Sequence, residues 1–317
     1  MASPDNYRLA PVFGMPHEIG NSHRWTQSPN FPESGIDYMD ANEVIARYAS
    51  GERDFRGVDL KGINLANETL RDINLRQAML HGANLSGCDL KGANLREASL
   101  PKSTLQNAHL ELANLIGADL AYANLSGANL NEAGIRGTNL AHAVLEKSTI
   151  QDANLNEAVL DNALLREANL SNSALNRCHL IEADLTLSKL EGASFANAIL
   201  TGAILTGANL STALLSGANL DNADLGGADL SRAKLQGSTL VNAHLVQTNL
   251  RGANLSWSSL RGAELRGATF YRAKLSWSNL SGASLNEAVM ISATMDYVNL
   301  RNAVLTGTIL PDGRTHE

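Results

Sequence analysis

Aromatic residues make up only 4% of this 317-residue chain. A core built on large rings is therefore excluded, and burial must rest on Leu and Ala. No run of about 18 apolar residues occurs, so no transmembrane segment is expected. The first residues lack a charged stretch followed by an apolar one, so no secretory leader is expected either. There are two cysteines, Cys88 and Cys178, ninety residues apart. They read as small buried residues of a chain in a reducing compartment, which points to the cytoplasm. No His–Cys cluster has zinc spacing, and His81, His109, His142, His179 and His244 never recur at one register. No phosphate loop or dinucleotide fingerprint is present. Taken together, these absences point to a protein that is not an enzyme and needs no cofactor or metal. The net charge of −7 speaks for solubility and names no partner.

What is present is a repeat. From Phe55 to Leu310 every fifth residue is large and apolar, which makes 52 consecutive units, 45 of them centred on Leu. Phe55, Ile135, Ile150, Phe195, Phe270, Met290 and Met295 are the other centres. Two residues before the centre, 34 of the 52 positions are Ala. A period of five matches neither helix nor strand. It matches a square coil in which each unit forms one side, with the centre and the preceding Ala both pointing inward. Nineteen of the 26 glycines lie two residues after a centre, as Gly207 does. That is the third place of a four-residue turn, where a type II turn needs positive φ. Where Asn197 or Glu157 stands there instead, a different turn type is expected. Asp or Asn before the centres, as at Asp119, Asn124 and Asn129, is read as satisfying backbone groups and not as binding calcium.

Tandem units such as Ala218-Asn219-Leu220-Asp221-Asn222 make the chain resemble the pentapeptide repeat proteins over residues 53–310. The opening at Gly51–Phe55 and the close at Leu310–Gly313 are similar to cyanobacterial members. The resemblance implies an all-β fold, a right-handed quadrilateral β-helix (a β-solenoid) with four units per coil. Thirteen coils, about 60 Å of rod at ~4.8 Å each, would follow. Four segments are expected: an extended or disordered tail over 1–39, a capping helix over 40–51, the β-helix over 52–310 and a short C-terminal tail over 311–317. The tail carries Pro4, Pro11, Pro16, Pro29 and Pro32 among scattered aromatics, and either lies on the solenoid or docks on a partner. Asp40 is the expected N-cap of the helix and Glu43 its capping-box partner. The first coil carries Arg53, Val58, Ile63 and Glu68 where Ala is the rule, as suits an end that meets a cap. The Phe centres are expected to need local adjustment.

Function should lie in columns of residues twenty apart, which stack in successive coils. One column reads Gly237, Trp257, Trp277, Tyr297, an outer aromatic ladder of the kind that anchors interfaces. Charge is segregated: residues 151–230 carry 3 basic and 10 acidic groups, net −7, and residues 231–310 carry 8 and 3, net +5. The candidate interaction surface is therefore Trp257, Trp277, Tyr297 and Tyr271 with Arg232, Lys234, Arg272 and Lys274. The candidate acidic surface is Asp161, Asp184, Asp221, Asp224 and Asp229. The leading expectation is a non-catalytic scaffold that presents side-chain ladders to a protein partner. Some relatives imitate duplex DNA and bind DNA gyrase, but the repeat region here is only −3 (21 basic, 24 acidic), which disfavours that role. An anionic membrane or nucleic-acid surface meeting the basic end is a further alternative. An end-to-end homodimer through the last coil is expected if that coil is uncovered.

Overall fold

The structure, a computed structural model, describes residues 38–317, which lie in one compact unit, Asp37–Glu317. The tail expected over 1–39 lies, as far as residue 37, outside the described residues. Parallel bridges join residues twenty apart in an unbroken series from Asp54↔Asn74 to Val289↔Ile309. Each coil therefore holds four units and turns four corners, making a four-walled β-helix. We number the walls by their centres: the first runs through Phe55 and Leu75, the second through Leu60, the third through Leu65 and the fourth through Leu70. The first wall thus faces the third across the core.

One unit shows why the period is five. The Ala83 amide closes the turn onto the Leu80 carbonyl at 3.0 Å, and the Asn84 amide donates to Ile63 of the preceding coil at 2.8 Å. The Leu85 and Gly87 amides donate to Thr104 and Gln106 of the following coil at 2.7 and 2.8 Å. That leaves the Ser86 amide, which donates to the side-chain Oδ1 of Asn84 at 3.2 Å. All five amides are paired, as burial between coils demands. The Asx preference before the centres therefore serves the backbone. The Asn side chains also ladder along the walls, as Asn84 to Asn64 at 3.0 Å and Asn94 to Asn74 at 3.1 Å.

The inner columns are fully buried, from Leu60 and Ala78 to Leu285 and Ala288. Where Ser or Thr replaces the inner Ala, its hydroxyl in most cases finds a carbonyl of a central residue, as Ser103 donates to Leu100 and Thr138 to Leu115, both at 2.7 Å, while Ser188 and Ser278 have no partner. Phe195 and Phe270 are buried, and the inter-coil bonds of their amides are intact at 2.6 and 2.7 Å, so the register runs through them unbroken. Cys88 and Cys178 are both free and buried, and burial pushes both thiols up to about 12.

The corners correct one expectation. Asn197 (φ 56) and Glu157 (φ 63) have the same left-handed backbone as Gly207 (φ 65). So do bulky residues such as Leu112 (φ 61), Leu187 (φ 57) and Thr212 (φ 60). The cause is tertiary: the amide at this place donates to the next coil whatever the residue, at 3.1 Å from Asn197 and 3.0 Å from Glu157. Coil stacking therefore imposes one turn class at every corner and overrides residue preference.

At the N-terminal end, helix α1 spans Ala41–Ala49, with Asp40 as N-cap accepting the Glu43 amide at 2.9 Å. The capping box is half made, because the Glu43 carboxylate turns to Arg47 instead, at 3.5 Å. Val44 is fully buried, and Ala41, Ile45 and Tyr48 pack beside it on the core. Arg47 grips Glu52 with two bonds, at 2.8 and 2.5 Å, and so ties α1 to the first coil. At the other end Met295, Leu300 and Leu305 are only partly buried. Residues after Leu310 turn back, and Thr315 bridges Ile309 in antiparallel sense. Among the described residues no helix is long and apolar enough to cross a membrane.

Candidate interaction surface

The corner geometry builds the aromatic ladder. Trp257, Trp277 and Tyr297 all occupy the left-handed corner place between the first and second walls, with φ of 64, 65 and 57°. Identical backbone at a twenty-residue interval aims their side chains the same way, so the rings must stack. The indoles of Trp257 and Trp277 lie 5.0 Å apart with planes 2° from parallel, and Trp277 and Tyr297 lie 4.2 Å apart at 19°. The stack is nonetheless exposed, at 65%, 48% and 75% of each residue's surface. Its faces are turned to one another, so it presents ring edges to solvent, and the edge is the electropositive part of an aromatic ring.

Lys234 and Lys274 stand on the first wall, separated by Asn254, to which each is bridged. The corner on the wall's far side carries Arg232 and Arg272, and Arg251 and Arg272 flank the Tyr271 ring at 4.9 and 5.0 Å. The eight residues singled out from the sequence therefore share one wall and its two corners. Among the described residues none of Arg232, Lys234, Arg251, Arg272 and Lys274 has a salt bridge. Several arginines nearer the N-terminal end are paired by contrast, as Arg71 with Asp89 at 2.6 Å, Arg76 with Glu97 at 3.2 Å and Arg136 with Glu157 at 3.1 Å.

The acidic candidates are not one surface. Asp161 and Asp221 sit at the corner between the second and third walls, Asp184 and Asp224 on the third wall and Asp229 on the fourth. Asp184 departs from the expectation of an exposed acid: it is 5% exposed, is bound by Arg166, and accepts the Thr186 amide and hydroxyl at 3.0 and 2.6 Å. Burial opposes its ionisation, yet the Thr186 bonds and the Arg166 guanidinium outweigh it and hold the carboxyl below its ordinary range.

A feature missed in the sequence lies around Asp184. Leu164 and Ile204 flank it one coil to either side on the third wall. Ile181 and Leu187 flank it at the two corners of its own coil. All four are exposed, at 37%, 39%, 36% and 59%. Among so many leucines they pass for core, and only their places, one before or one and two after a centre, mark them as outside. A second, smaller stack, Tyr122 on His142 at 4.6 Å, was likewise not anticipated.

The model of the family described as pentapeptide repeats matches successive segments of this chain, among them 54–92, 93–131 and 268–307. Among solved structures the chain is similar to HetL, a pentapeptide repeat protein involved in heterocyst differentiation regulation from the cyanobacterium Nostoc sp. strain PCC 7120. The two are 30% identical over 88% of this chain and 100% of that one, with a TM-score of 0.44. It is similar also to Rfr23, a pentapeptide repeat protein of the cyanobacterium Cyanothece 51142, at 31% identity over 37% of this chain and 97% of that one, with a TM-score of 0.31. QnrB1, a plasmid-mediated fluoroquinolone resistance protein, matches at 16% identity over 79% of this chain and 92% of that one, with a TM-score of 0.31. No curated protein sequence matches the chain.

Proposed function

Because the chain belongs to the pentapeptide repeat family, we propose that it is a non-catalytic scaffold, a right-handed quadrilateral β-helix of thirteen coils, that presents side-chain ladders to a protein partner in the cytoplasm. The observation that supports this reading is the Trp257–Trp277–Tyr297 stack, exposed beside five cations that form no salt bridge among the described residues. Trp, Tyr and Arg are the side chains that most often anchor protein interfaces. Their preorganisation on a rigid wall lowers the ordering cost of association. The gyrase alternative draws less support, because a DNA-like field needs a dense row of acids. Here the acids are spread over several walls, and Asp184 is already committed to Arg166. The partly covered last coil supports end-to-end pairing as a route to a homodimer.

The test is affinity capture with the full chain and with a Trp257→Ala/Trp277→Ala double variant. The captured set is expected to lose one or more proteins with the variant, whereas identical sets would remove the ladder from the interface. Both side chains are exposed, so the variant keeps the buried columns intact.

A further inference from the structure

The walls carry a second asymmetry. Between residues 231 and 297 the first wall and its two corners hold five basic side chains and one acid, Asp296, for a net +4. Between residues 161 and 227 the third wall and its two corners hold six acids and one base, Arg166, for a net −5. Each patch has its own apolar centre: the indole edges on the first wall, and the aliphatic cross around Asp184 on the third. An exposed apolar cluster rimmed by charge of one sign is the usual mark of a docking surface. The complement to each patch, in charge and in apolar content, is the other.

Resting on the reading that the Trp257 ladder is a protein interface, we propose that its partner is a second copy of this chain, with the first-wall patch of one copy docking on the third-wall patch of the next. The two patches lie on opposite walls, so two copies cannot satisfy both contacts with each other. The contact is heterologous and does not close, and every copy added leaves one patch of each kind free. The patch centres, near residues 264 and 194, are 70 residues or three and a half coils apart. Side-by-side parallel copies are therefore staggered by roughly 17 Å at ~4.8 Å per coil. In the contact Lys274 on the wall faces Ile204 and Asp224 of the third wall, and the corner of Arg232 and Arg272 faces the corner that carries Glu167 and Leu187. The corner of Trp257, Trp277 and Tyr297 faces the corner that carries Ile181, Glu182 and Asp221. Opposed charge sets the register and the encounter rate, and the apolar centres supply the holding contact.

Sedimentation velocity on the purified full-length chain tests this. Wild type is expected to grow with concentration at about 0.1 M ionic strength and to grow markedly less at about 1 M, where the Debye length has fallen from about 10 Å to about 3 Å. Two surface variants separate the patches: Lys274→Gln/Trp277→Ser on the first wall and Leu187→Ser/Asp224→Asn on the third. Each alone is expected to stay monomeric. An equimolar mixture of the two is expected to form a dimer and stop there, since only one live contact remains. A mixture that does not associate would overturn the proposal. So would association that survives high salt and both variants, which would point to end-to-end pairing through the last coil. A wild type that stays monomeric but sediments with phosphatidylserine vesicles through its first wall would overturn it as well. If the monomer nevertheless loses captured proteins when Trp257 and Trp277 are replaced, this inference fails and the scaffold reading stands.

Discussion

At the scale of the residue, the corner place governs the chain. An L-residue in left-handed backbone costs roughly 1–2 kcal/mol, and coil stacking imposes that backbone on Leu112, Trp257 and Trp277 alike. The inter-coil amide bond from nearly every corner with a coil beyond it offsets that cost, which explains why the place tolerates nearly any side chain. Two substitutions measure it. Gly82 has φ 65 and open space where a Cβ would sit. Gly82→Ala should therefore lose about 1–2 kcal/mol by backbone conformation alone. Leu112→Gly releases the same strain against a chain-entropy loss of about 0.5–1 kcal/mol, so it should be neutral or slightly stabilising. Urea midpoints of the two variants against wild type check both. Nothing in the sequence marks this sign reversal, because Asn197 and Glu157 look like ordinary turn residues of another class. The bond that overrides their preference comes from a coil nineteen residues further on.

At the scale of the element, the tie between α1 and the first coil is sensitive to pH. The double hydrogen bond from Arg47 holds the Glu52 carboxyl below its ordinary range, against a smaller opposing effect of burial. A carboxyl depressed in the folded state contributes stability that is complete above its unfolded value, about 4.3, and is lost as pH falls through the folded value. The difference in melting midpoint between wild type and Glu52→Gln should therefore be present at neutral pH and shrink as pH falls below about 4.3. A difference independent of pH would show that Glu52 acts through packing alone. Much at this scale was legible in advance. The five-residue period fixes which side chains point inward, since one slip in phase would put Leu in water. Asp40 as N-cap and the aromatic ladder were legible for similar reasons, because each depends on spacing alone. The burial of Asp184 was not, because Arg166, eighteen residues earlier, closes over it only once the coils stack. The aliphatic cross was hidden by composition, because Leu164 and Leu187 differ from core leucines only in phase.

At the scale of the whole molecule, the twenty-residue register separates two readings of one sequence. The interior takes the chain modulo five and the exterior takes it modulo twenty. A change of length by any multiple of five leaves every buried column filled. Only a multiple of twenty leaves the outer columns facing their old directions. Deleting one unit, residues 226–230, joins Leu225 to Ser231 in phase and should fold with near-native circular dichroism. It would also carry Trp257, Trp277 and the cations a quarter turn, onto a wall adjacent to the acidic one. Duplicating one full coil, residues 211–230, leaves the two patches on opposite walls. With the patches at right angles, successive copies turn a quarter at each contact while still climbing along the rod axis, so both variants should go on growing, the full-coil variant as a flat staggered ribbon and the unit deletion as a helical staircase, which negative-stain electron microscopy distinguishes. Length change in such a chain is thus a rotary control: loss or gain of a single five-residue unit re-aims a surface by ninety degrees without touching one residue of it.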